Sequence, residues 1–143
     1  MKALIIDEPW IGLILDGKKT WEMRKTGCNL RGPIALIRKG SGQVVGTAVV
    51  IDSLPPLQDR VAYAAAEPFH RVPPARQQQA FEDGWRTPWV LGEAQRLPEP
   101  VPYAHPSGAV IWVNLDDDVA ARVEGRRPVP APASTQAIRT TSP

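Results

Sequence analysis

Two apolar runs on either side of a glycine-rich turn constrain the fold of this chain more than any other feature. Residues 34–38 read Ile-Ala-Leu-Ile-Arg, and residues 44–51 read Val-Val-Gly-Thr-Ala-Val-Val-Ile. The turn between them is Gly40-Ser41-Gly42, and this arrangement predicts a β-hairpin within a mainly β domain. Gly46 lies inside the second run, where a glycine indicates a β-bulge or a close approach of another backbone segment.

Segments outside the hairpin extend the predicted sheet. Residues 2–6 form an apolar run that ends at two acids, which is typical of a buried strand. Residues 97–106 contain four prolines, and because proline lacks a backbone donor this segment is expected to be extended at a sheet edge. The remaining segments are 85–91 and 109–115, the second being the last strand that the sequence predicts.

Short helices are predicted between these strands. Residues 9–16 repeat apolar side chains at helical spacing and stop before Gly17, a residue suited to the left-handed backbone that follows many helices. An alanine-rich helix over 59–67 would begin at Asp59, a favourable N-cap residue. A further helix is predicted over 74–83.

A strand with charged side chains on one face follows the first helix. Alternation along this strand puts Thr20, Glu22 and Arg24 on a face that looks outward or into a cleft. Trp21 and Met23 point the other way, as core residues. Because Glu22 and Arg24 lie two positions apart on one face, the simplest interpretation is a surface ion pair worth less than ~1 kcal/mol.

Basic residues are concentrated between positions 18 and 39. Seven of the 17 lysines and arginines lie in these 22 positions, and Glu22 is the one acid among them. Such a cluster predicts salt-dependent binding of phosphates, with a solvated charged face as the alternative. Trp10 is close in sequence and offers a face for base stacking, and Glu22 offers an acceptor for an exocyclic amine. The basic residues are Lys18, Lys19, Arg24, Lys25, Arg31, Arg38 and Lys39.

The five tryptophans divide into two groups. Trp21, Trp89 and Trp112 are predicted to pack in the core, because their neighbours form strands. Trp10 and Trp85 lie next to helix ends or loops, so stacking and packing remain equally open for them.

A pattern of eight residues resembles the signature of a known family. Residues 17–24 read Gly-Lys-Lys-Thr-Trp-Glu-Met-Arg, which is Gly-x-Lys-x-x-Glu-x-Arg, directly after a helix that starts at Glu-Pro-Trp. A Trp-Val-Leu element and a Leu-Pro-x-Pro-Val-Pro stretch follow within 89–102, and Gly-x-x-x-Trp occupies 108–112. Together these segments resemble the ASCH domain family. The resemblance implies an α+β, mainly β fold, a small PUA-like β-barrel flanked by two or three short helices.

The resemblance also implies a function. The lysine, glutamate and arginine of the signature point toward a cleft beside the preceding helix, and the family is associated with RNA binding. We therefore predict that the chain binds RNA, a nucleotide or a nucleoside in a basic cleft next to the signature. The residues predicted to bind the ligand are Trp10, Lys18, Lys19, Thr20, Glu22, Arg24 and Arg38.

A small hydrolase of the same fold is the alternative function. Some family members hydrolyse acylated cytidine or cleave RNA, and the amidohydrolases use a signature lysine, a threonine three positions later and a distant glutamate. Lys19 matches the lysine, but Glu22 stands where the threonine would be, which puts the transfer of that activity in doubt. Lys19 as a base or electrostatic clamp and Glu22 as a proton carrier are the catalytic residues of this hypothesis.

The last part of the chain differs in composition. Residues 119–143 hold four prolines, four arginines and few large apolar side chains, too few to offset the entropy of ordering them. The three acids at 116–118 suit an acidic cap or the start of a helix. We predict a domain over 1–117 and a disordered, proline- and arginine-rich tail over 118–143, which would suit a third role in binding a partner.

Composition limits the setting in which the chain works. Its single cysteine, Cys28, cannot form an internal disulfide, and acids interrupt the N-terminal apolar run too early for a signal peptide. No run reaches the ~18 apolar residues of a membrane span. We therefore expect a cytoplasmic protein without a membrane partner. Because His70, His105 and Cys28 lack the spacing of metal ligands, neither a metal nor another cofactor is expected.

Overall fold

The hairpin predicted around the glycine-rich turn forms the centre of a six-stranded sheet in the computed structural model, which describes residues 1–125. Its two strands pair antiparallel. The strands are β1 (Lys2–Ile6), β2 (Trp21–Arg24), β3 (Gly32–Arg38), β4 (Gln43–Ser53), β5 (Thr87–Pro102) and β6 (Trp112–Asn114). The helices are α1 (Trp10–Leu15), α2 (Arg60–Ala65), α3 (Glu67–His70), α4 (Pro74–Glu82) and α5 (Asp117–Val123).

The strands follow the order β2-β5-β4-β3-β1-β6 across the sheet. Neighbouring strands are antiparallel except β1 and β3, which run parallel with Ile6 opposite Arg38. Parallel strands finish at the same edge of a sheet. The segments that follow β1 and β3 therefore leave the sheet side by side, at the end where the candidate site lies.

Bulges bend the central strands and curl the sheet into a half-barrel. The β4–β5 pairing changes register at three places, one of them between Val44 and Gly46. Such irregularities increase the local twist of a strand. A Cβ added to Gly46 would lie 2.6 Å from the carbonyl oxygen of Gln95 and would collide with the side chain of Leu15. Both readings of Gly46, a bulge and a close backbone approach, are confirmed.

Alternating side chains of β1 and β3 build two cores, one on each face of the sheet. Leu4 and Leu36 belong to the core that packs against α1, together with Trp89 of β5. Ile5 and Ile37 belong to the opposite core. Burial on both faces explains why these strands are continuous apolar runs in the sequence.

Helix α5 covers the second core, so the predicted boundary at residue 117 is wrong. Val119 and Val123 are buried in this core, where α5 packs against β4 and β5, and Asp116 caps the helix by accepting from the amide of Val119 at 2.9 Å. The alternating apolar pattern of the sequence ends at β6, but the apolar residues on this face of the sheet are still buried by a further element, α5. The domain therefore extends to at least residue 123, and the part of the predicted tail beyond 125 lies outside the described residues.

The predicted mainly β α+β class is confirmed, and so are most individual elements. Asp59 caps α2 by accepting from the amide of Ala62 at 2.8 Å. Within residues 1–125 there are five short helices, more than the two or three expected. The last strand, β6, is shorter than predicted because a turn closed by a 3.2 Å bond from Ala109 to Pro106 precedes it.

The three tryptophans predicted to be core residues pack as expected. Trp89 is buried and stacks on the half-buried Trp112, with ring centroids 5.9 Å apart. Trp21 packs against a third, smaller core that includes Met23 and Tyr63. This small core joins the helices α2 and α4 to β2.

Neither a membrane span nor a metal site is found in the described part of the chain. None of its helices has the length and apolarity required to cross a bilayer. No three histidine, cysteine or carboxylate side chains within residues 1–125 come together as metal ligands.

Substituting Gly46 by alanine is expected to destabilise the protein by about 1–3 kcal/mol, because the added methyl group has no space beside Gln95 and Leu15. Equilibrium unfolding in urea measures this difference.

Gly92→Ala is the matched control in the paired strand. There the added Cβ would meet only the side chain of Ile51, which is exposed and can rotate away, so the cost should be less than ~1 kcal/mol. Equal stability of both variants and the parent would contradict the close approach at Gly46.

Candidate ligand cleft

The turn after α1 determines the position of Lys19. Gly17 has a left-handed backbone, with φ of 77°, and ends the helix as predicted. The amides of Lys18 and Lys19 then both donate to the carbonyl oxygen of Leu13, at 2.9 and 3.1 Å. The two lysines reach different surroundings, since Lys18 is exposed whereas Lys19 is only 3% exposed.

Helix α3 packs against this turn and contributes to the burial of Lys19. The amide of Thr20 donates to the carbonyl oxygen of Phe69 at 3.1 Å. The rings of Trp21 and Phe69 stack with centroids 4.7 Å apart. The signature is thus fixed on one side by its own helix and on the other by a helix fifty residues away in sequence.

Lys19, Glu22 and Arg24 form a buried group, called here the charged cluster. Lys19 Nζ donates to the carbonyl oxygen of His70 at 2.7 Å and lies 3.8 Å from Glu22 Oε1. Glu22 Oε2 accepts a hydrogen bond from Nε of Arg24 at 3.0 Å and lies 2.9 Å from its Nη2 as an ion pair. Because the Glu22 and Arg24 side chains are only 8% and 13% exposed, their interpretation as a surface ion pair is wrong.

Arg24 also joins two distant strands of the sheet. Its Nη2 donates to the carbonyl oxygen of Ile5 at 2.9 Å, which connects β2 at one edge with β1 near the other. Its guanidinium lies 5.4 Å from the ring centroid of Trp89. Arg24 therefore links β2 to β1 in addition to pairing with Glu22.

Burial lowers the pKa of Lys19 from 10.5 to about 8. The nearby carboxylate of Glu22 opposes this shift, and the positive charge of Arg24 adds to it. A lysine with this pKa is about one-tenth neutral at pH 7 and about half neutral at pH 8. Lys19 can therefore act as a cation or as a base near neutral pH.

The main chain of His70 accepts the hydrogen bond of Lys19, and the His70 ring is neutral. Its Nδ1 accepts from the amide of Val72 at 2.9 Å, and its Nε2 lies 2.7 Å from the carbonyl oxygen of Tyr63, so the ring proton is on Nε2. Burial lowers the pKa of His70 and so favours this neutral form. The carbonyl oxygen that receives Lys19 is thereby fixed in place.

The charged cluster lines a cleft of about 1300 Å³. Helix α4 contributes Arg76 to its lining, and Asp83, the residue that follows the helix, lines it as well. The segment after β5 contributes Tyr103 and His105 from another direction. The cleft is therefore assembled from segments that are far apart in the sequence.

Two tryptophans in the cleft lie next to cations. The ring centroid of Trp10 is 5.1 Å from Lys19 Nζ and 5.5 Å from the Cζ atom of Arg76. Trp85 is 39% exposed, with Lys25 Nζ 4.8 Å from its ring. Both residues line the cleft, and such pairs of an aromatic ring and a cation suit stacked bases with adjacent phosphates.

The structure brings four of the seven predicted ligand-binding residues into the cleft and leaves three outside. Trp10, Lys19, Glu22 and Arg24 line it, whereas Lys18, Thr20 and Arg38 do not. Lys18 is exposed on the turn after α1.

Thr20 and Arg38 are outside the cleft for reasons that the local pattern did not reveal. Strand β2 begins only at Trp21, so the alternation that placed Thr20 beside Glu22 does not reach it. Arg38 Nε instead donates to Glu8 Oε2 at 2.9 Å, and the same carboxylate accepts from the first turn of α1.

The predicted basic patch is also divided by the fold. Arg31 is not part of the cleft lining, and its Nη2 lies 3.4 Å from Asp52 Oδ1 as an ion pair. Lys25 and Lys39 remain in the cleft, where Arg76 joins them. Residue spacing did not indicate Arg76, because it is an isolated basic residue on α4 and reaches the cleft only through tertiary packing.

Solved structures share this fold. The crystal structure of the ASCH protein from Zymomonas mobilis is 14% identical with a TM-score of 0.64, and the match covers 87% of this chain and 93% of that one. A serine-to-alanine variant of it is 15% identical with a TM-score of 0.65, covering 87% and 94%. A tyrosine-to-phenylalanine variant is 14% identical with a TM-score of 0.64, covering 87% and 96%. At these identities the similarity concerns the fold alone.

The sequence itself matches a family model. Residues 4–100 match the ASCH domain, which is 97 of the 143 residues. No curated protein matches the sequence significantly. The chain belongs to the ASCH domain family.

Proposed function

We propose that the protein binds RNA, or a nucleotide derived from it, through a base held against the charged cluster. The base would stack on Trp10, and its edge would contact Glu22 and Lys19. The phosphates would lie near Lys25 and Arg76, which line the same cleft. This assignment agrees with the RNA association that the family signature implies.

Unfilled hydrogen-bonding capacity in the charged cluster carries the proposal. Arg24 occupies only Oε2 of Glu22, and Oε1 lies 3.8 Å from Lys19 Nζ, too far for a hydrogen bond. Lys19 has three donors and gives one of them to His70. Within residues 1–125, a nearly buried acceptor and a nearly buried donor thus form an ion pair at 3.8 Å, a distance longer than a hydrogen bond.

A nucleobase edge supplies what this pair lacks. Cytosine, adenine and guanine each carry an N–H donor next to a ring nitrogen or carbonyl acceptor. An exocyclic amine can donate to Glu22 Oε1 while the adjacent acceptor receives a hydrogen bond from Lys19 Nζ. Burial makes such bonds strong, because an unpaired polar group in this environment costs about 1–3 kcal/mol. The charged cluster would therefore select a base by its edge, and the surrounding cations would add affinity without sequence preference.

Arg76→Ala is expected to weaken the binding of a fluorescein-labelled single-stranded RNA hexamer about five- to tenfold, because it removes a cation beside Trp10. Fluorescence anisotropy over a series of salt concentrations measures the effect. The slope of log K against log salt should also become shallower by about 0.7, the contribution of one phosphate contact on a single strand.

Arg60→Ala is the matched control, since Arg60 is exposed on the neighbouring helix α2 and does not line the cleft. It removes the same charge, and its affinity should stay within about twofold of the parent. If the two variants behave alike, or if affinity does not depend on salt, binding in this cleft is refuted.

Hydrolysis is a second candidate function, favoured by one observation. The pKa of Lys19, lowered by burial to about 8, is suitable for a general base near neutral pH. The neutral amine would take a proton from water or from a ribose hydroxyl as it attacks, with Glu22 3.8 Å away to stabilise the ammonium that forms. An acylated cytidine or an RNA phosphodiester would be the substrate.

Incubation with N4-acylated cytidine and with short RNA tests this candidate. If Lys19 is the base, product formation should rise as the pH increases through about 8, since only the neutral amine accepts a proton. The rate should fall at least 100-fold in Lys19→Met. Product detection by liquid chromatography and mass spectrometry is decisive, and no turnover of either substrate would leave a binding protein.

A further inference from the structure

We infer that the cleft holds a second nucleotide beside the first, on a platform formed by Tyr103, His105 and Lys39. The ligand is then a single-stranded RNA of two or more nucleotides and not a lone nucleoside. This inference rests on the proposed function and specifies the class of ligand.

The cleft is larger than one nucleotide requires. Its volume of about 1300 Å³ exceeds the roughly 300–1000 Å³ of most small-molecule sites. Trp10 and the charged cluster occupy only part of its lining, and the segment after β5 lines another part. The size and the chemistry of the second region both require an explanation that a single bound base does not provide.

His105 is an exposed aromatic ring whose orientation is fixed. Its Nε2 lies 2.9 Å from the carbonyl oxygen of Ala109, so this nitrogen carries a proton. Its Nδ1 lies 2.8 Å from the hydroxyl of Tyr103, whose ring is 5.8 Å away at an angle of 63°. An exposed histidine normally rotates freely, whereas a ring held at both nitrogens presents one face at little entropic cost. Histidine and tyrosine rings are among the side chains on which RNA bases stack.

Lys39 lines the same cleft as this ring pair, and hydrogen bonds tie both segments to the end of the sheet where the hairpin turns. The amide of Tyr103 donates to the carbonyl oxygen of Gly42 at 3.2 Å, which ties the segment after β5 to the hairpin turn. The amide of Lys39 donates to Ile6 at 3.0 Å, where the parallel strands β1 and β3 end together. Lys39 is exposed and forms no salt bridge within residues 1–125, so its charge is available to a phosphate.

Ile5 connects the two parts of the cleft. Its carbonyl oxygen receives Arg24 of the charged cluster at 2.9 Å, and its amide donates to Ile111, in the segment that follows His105, also at 2.9 Å. The charged cluster and the segment 109–111, to which His105 is bonded at Ala109, therefore adjoin the same residue of β1. A strand of RNA that leaves the charged cluster along β1 meets the Tyr103–His105 platform next.

Comparison of mononucleotides with dinucleotides tests this inference. The probes are the four nucleoside 5′-monophosphates and the corresponding 5′-phosphorylated homodinucleotides, with affinity measured by isothermal titration calorimetry. For the base that the charged cluster prefers, the dinucleotide should bind at least about fivefold more tightly, the effect of one additional stacked base.

Single substitutions show which side chains provide the additional affinity of the dinucleotide. His105→Ala and Lys39→Ala should each reduce the ratio of dinucleotide to mononucleotide affinity toward one. Lys2→Ala, which removes an exposed lysine outside the cleft, should preserve the ratio. Trp10→Ala should weaken both ligands, because it removes the first stacking surface.

The outcomes separate this inference from the function on which it rests. Equal affinity for both ligands, or a dinucleotide advantage that survives His105→Ala and Lys39→Ala, refutes the second platform and leaves the first site standing. Failure of the parent protein to bind any of the eight ligands refutes both.

Discussion

The hydrogen bonds of Arg24 connect the folding of this domain with its candidate site. One guanidinium holds the buried carboxylate of Glu22 and also the main chain of Ile5, so the edge of a curled sheet and the charged cluster share a single contact. Removing one partner from a buried ion pair typically costs about 3–5 kcal/mol, because the remaining charge is left without compensation. The site and the closure of the half-barrel are therefore not independent features. A substitution that removes the Arg24 guanidinium would leave Glu22 without its hydrogen-bonded partner and would break the link to Ile5 at the same time.

Incomplete pairing distinguishes the charged cluster from an ordinary structural ion pair. Arg24 and Glu22 satisfy each other on one carboxylate oxygen, whereas Lys19 is buried against a helix carbonyl and stays 3.8 Å from the other oxygen. Burial disfavours the charged form of the Lys19 amine and so lowers its pKa. A ligand that accepts a hydrogen bond from the ammonium would offset this effect of burial. Ionisable groups whose pKa is shifted by burial and by a nearby charge are concentrated at functional sites. Under the proposed function, the same arrangement would serve base recognition directly, and it would serve general-base chemistry after Lys19 loses one proton.

Local sequence patterns were sufficient for most of the strands and helices, and three charged residues of the predicted site, Lys19, Glu22 and Arg24, line one cleft. The hairpin, the glycine stop after α1 and the bulge at Gly46 each follow from short-range rules of backbone geometry. Those rules did not reveal which basic residues would lie in the cleft of the folded protein. Arg38 pairs with Glu8, thirty residues away, and Arg76 reaches Trp10 only because α4 packs beside β2. Helix α5 was missed for a related reason: the need for it arises from an apolar sheet face that exists only after the strands have paired.

The most direct test of this account is a nuclear magnetic resonance titration of the protein with a single-stranded RNA hexamer, observing side-chain N–H signals. If the charged cluster is the ligand site, the indole Nε1–H of Trp10 and the Nε–H of Arg24 shift together as RNA is added. The Nε–H of Arg38, which is bonded to Glu8 outside the cleft, should remain in place. Movement of the Arg38 signal while those of Trp10 and Arg24 stay fixed would mean that RNA binds another surface, and the role assigned to the charged cluster would be wrong.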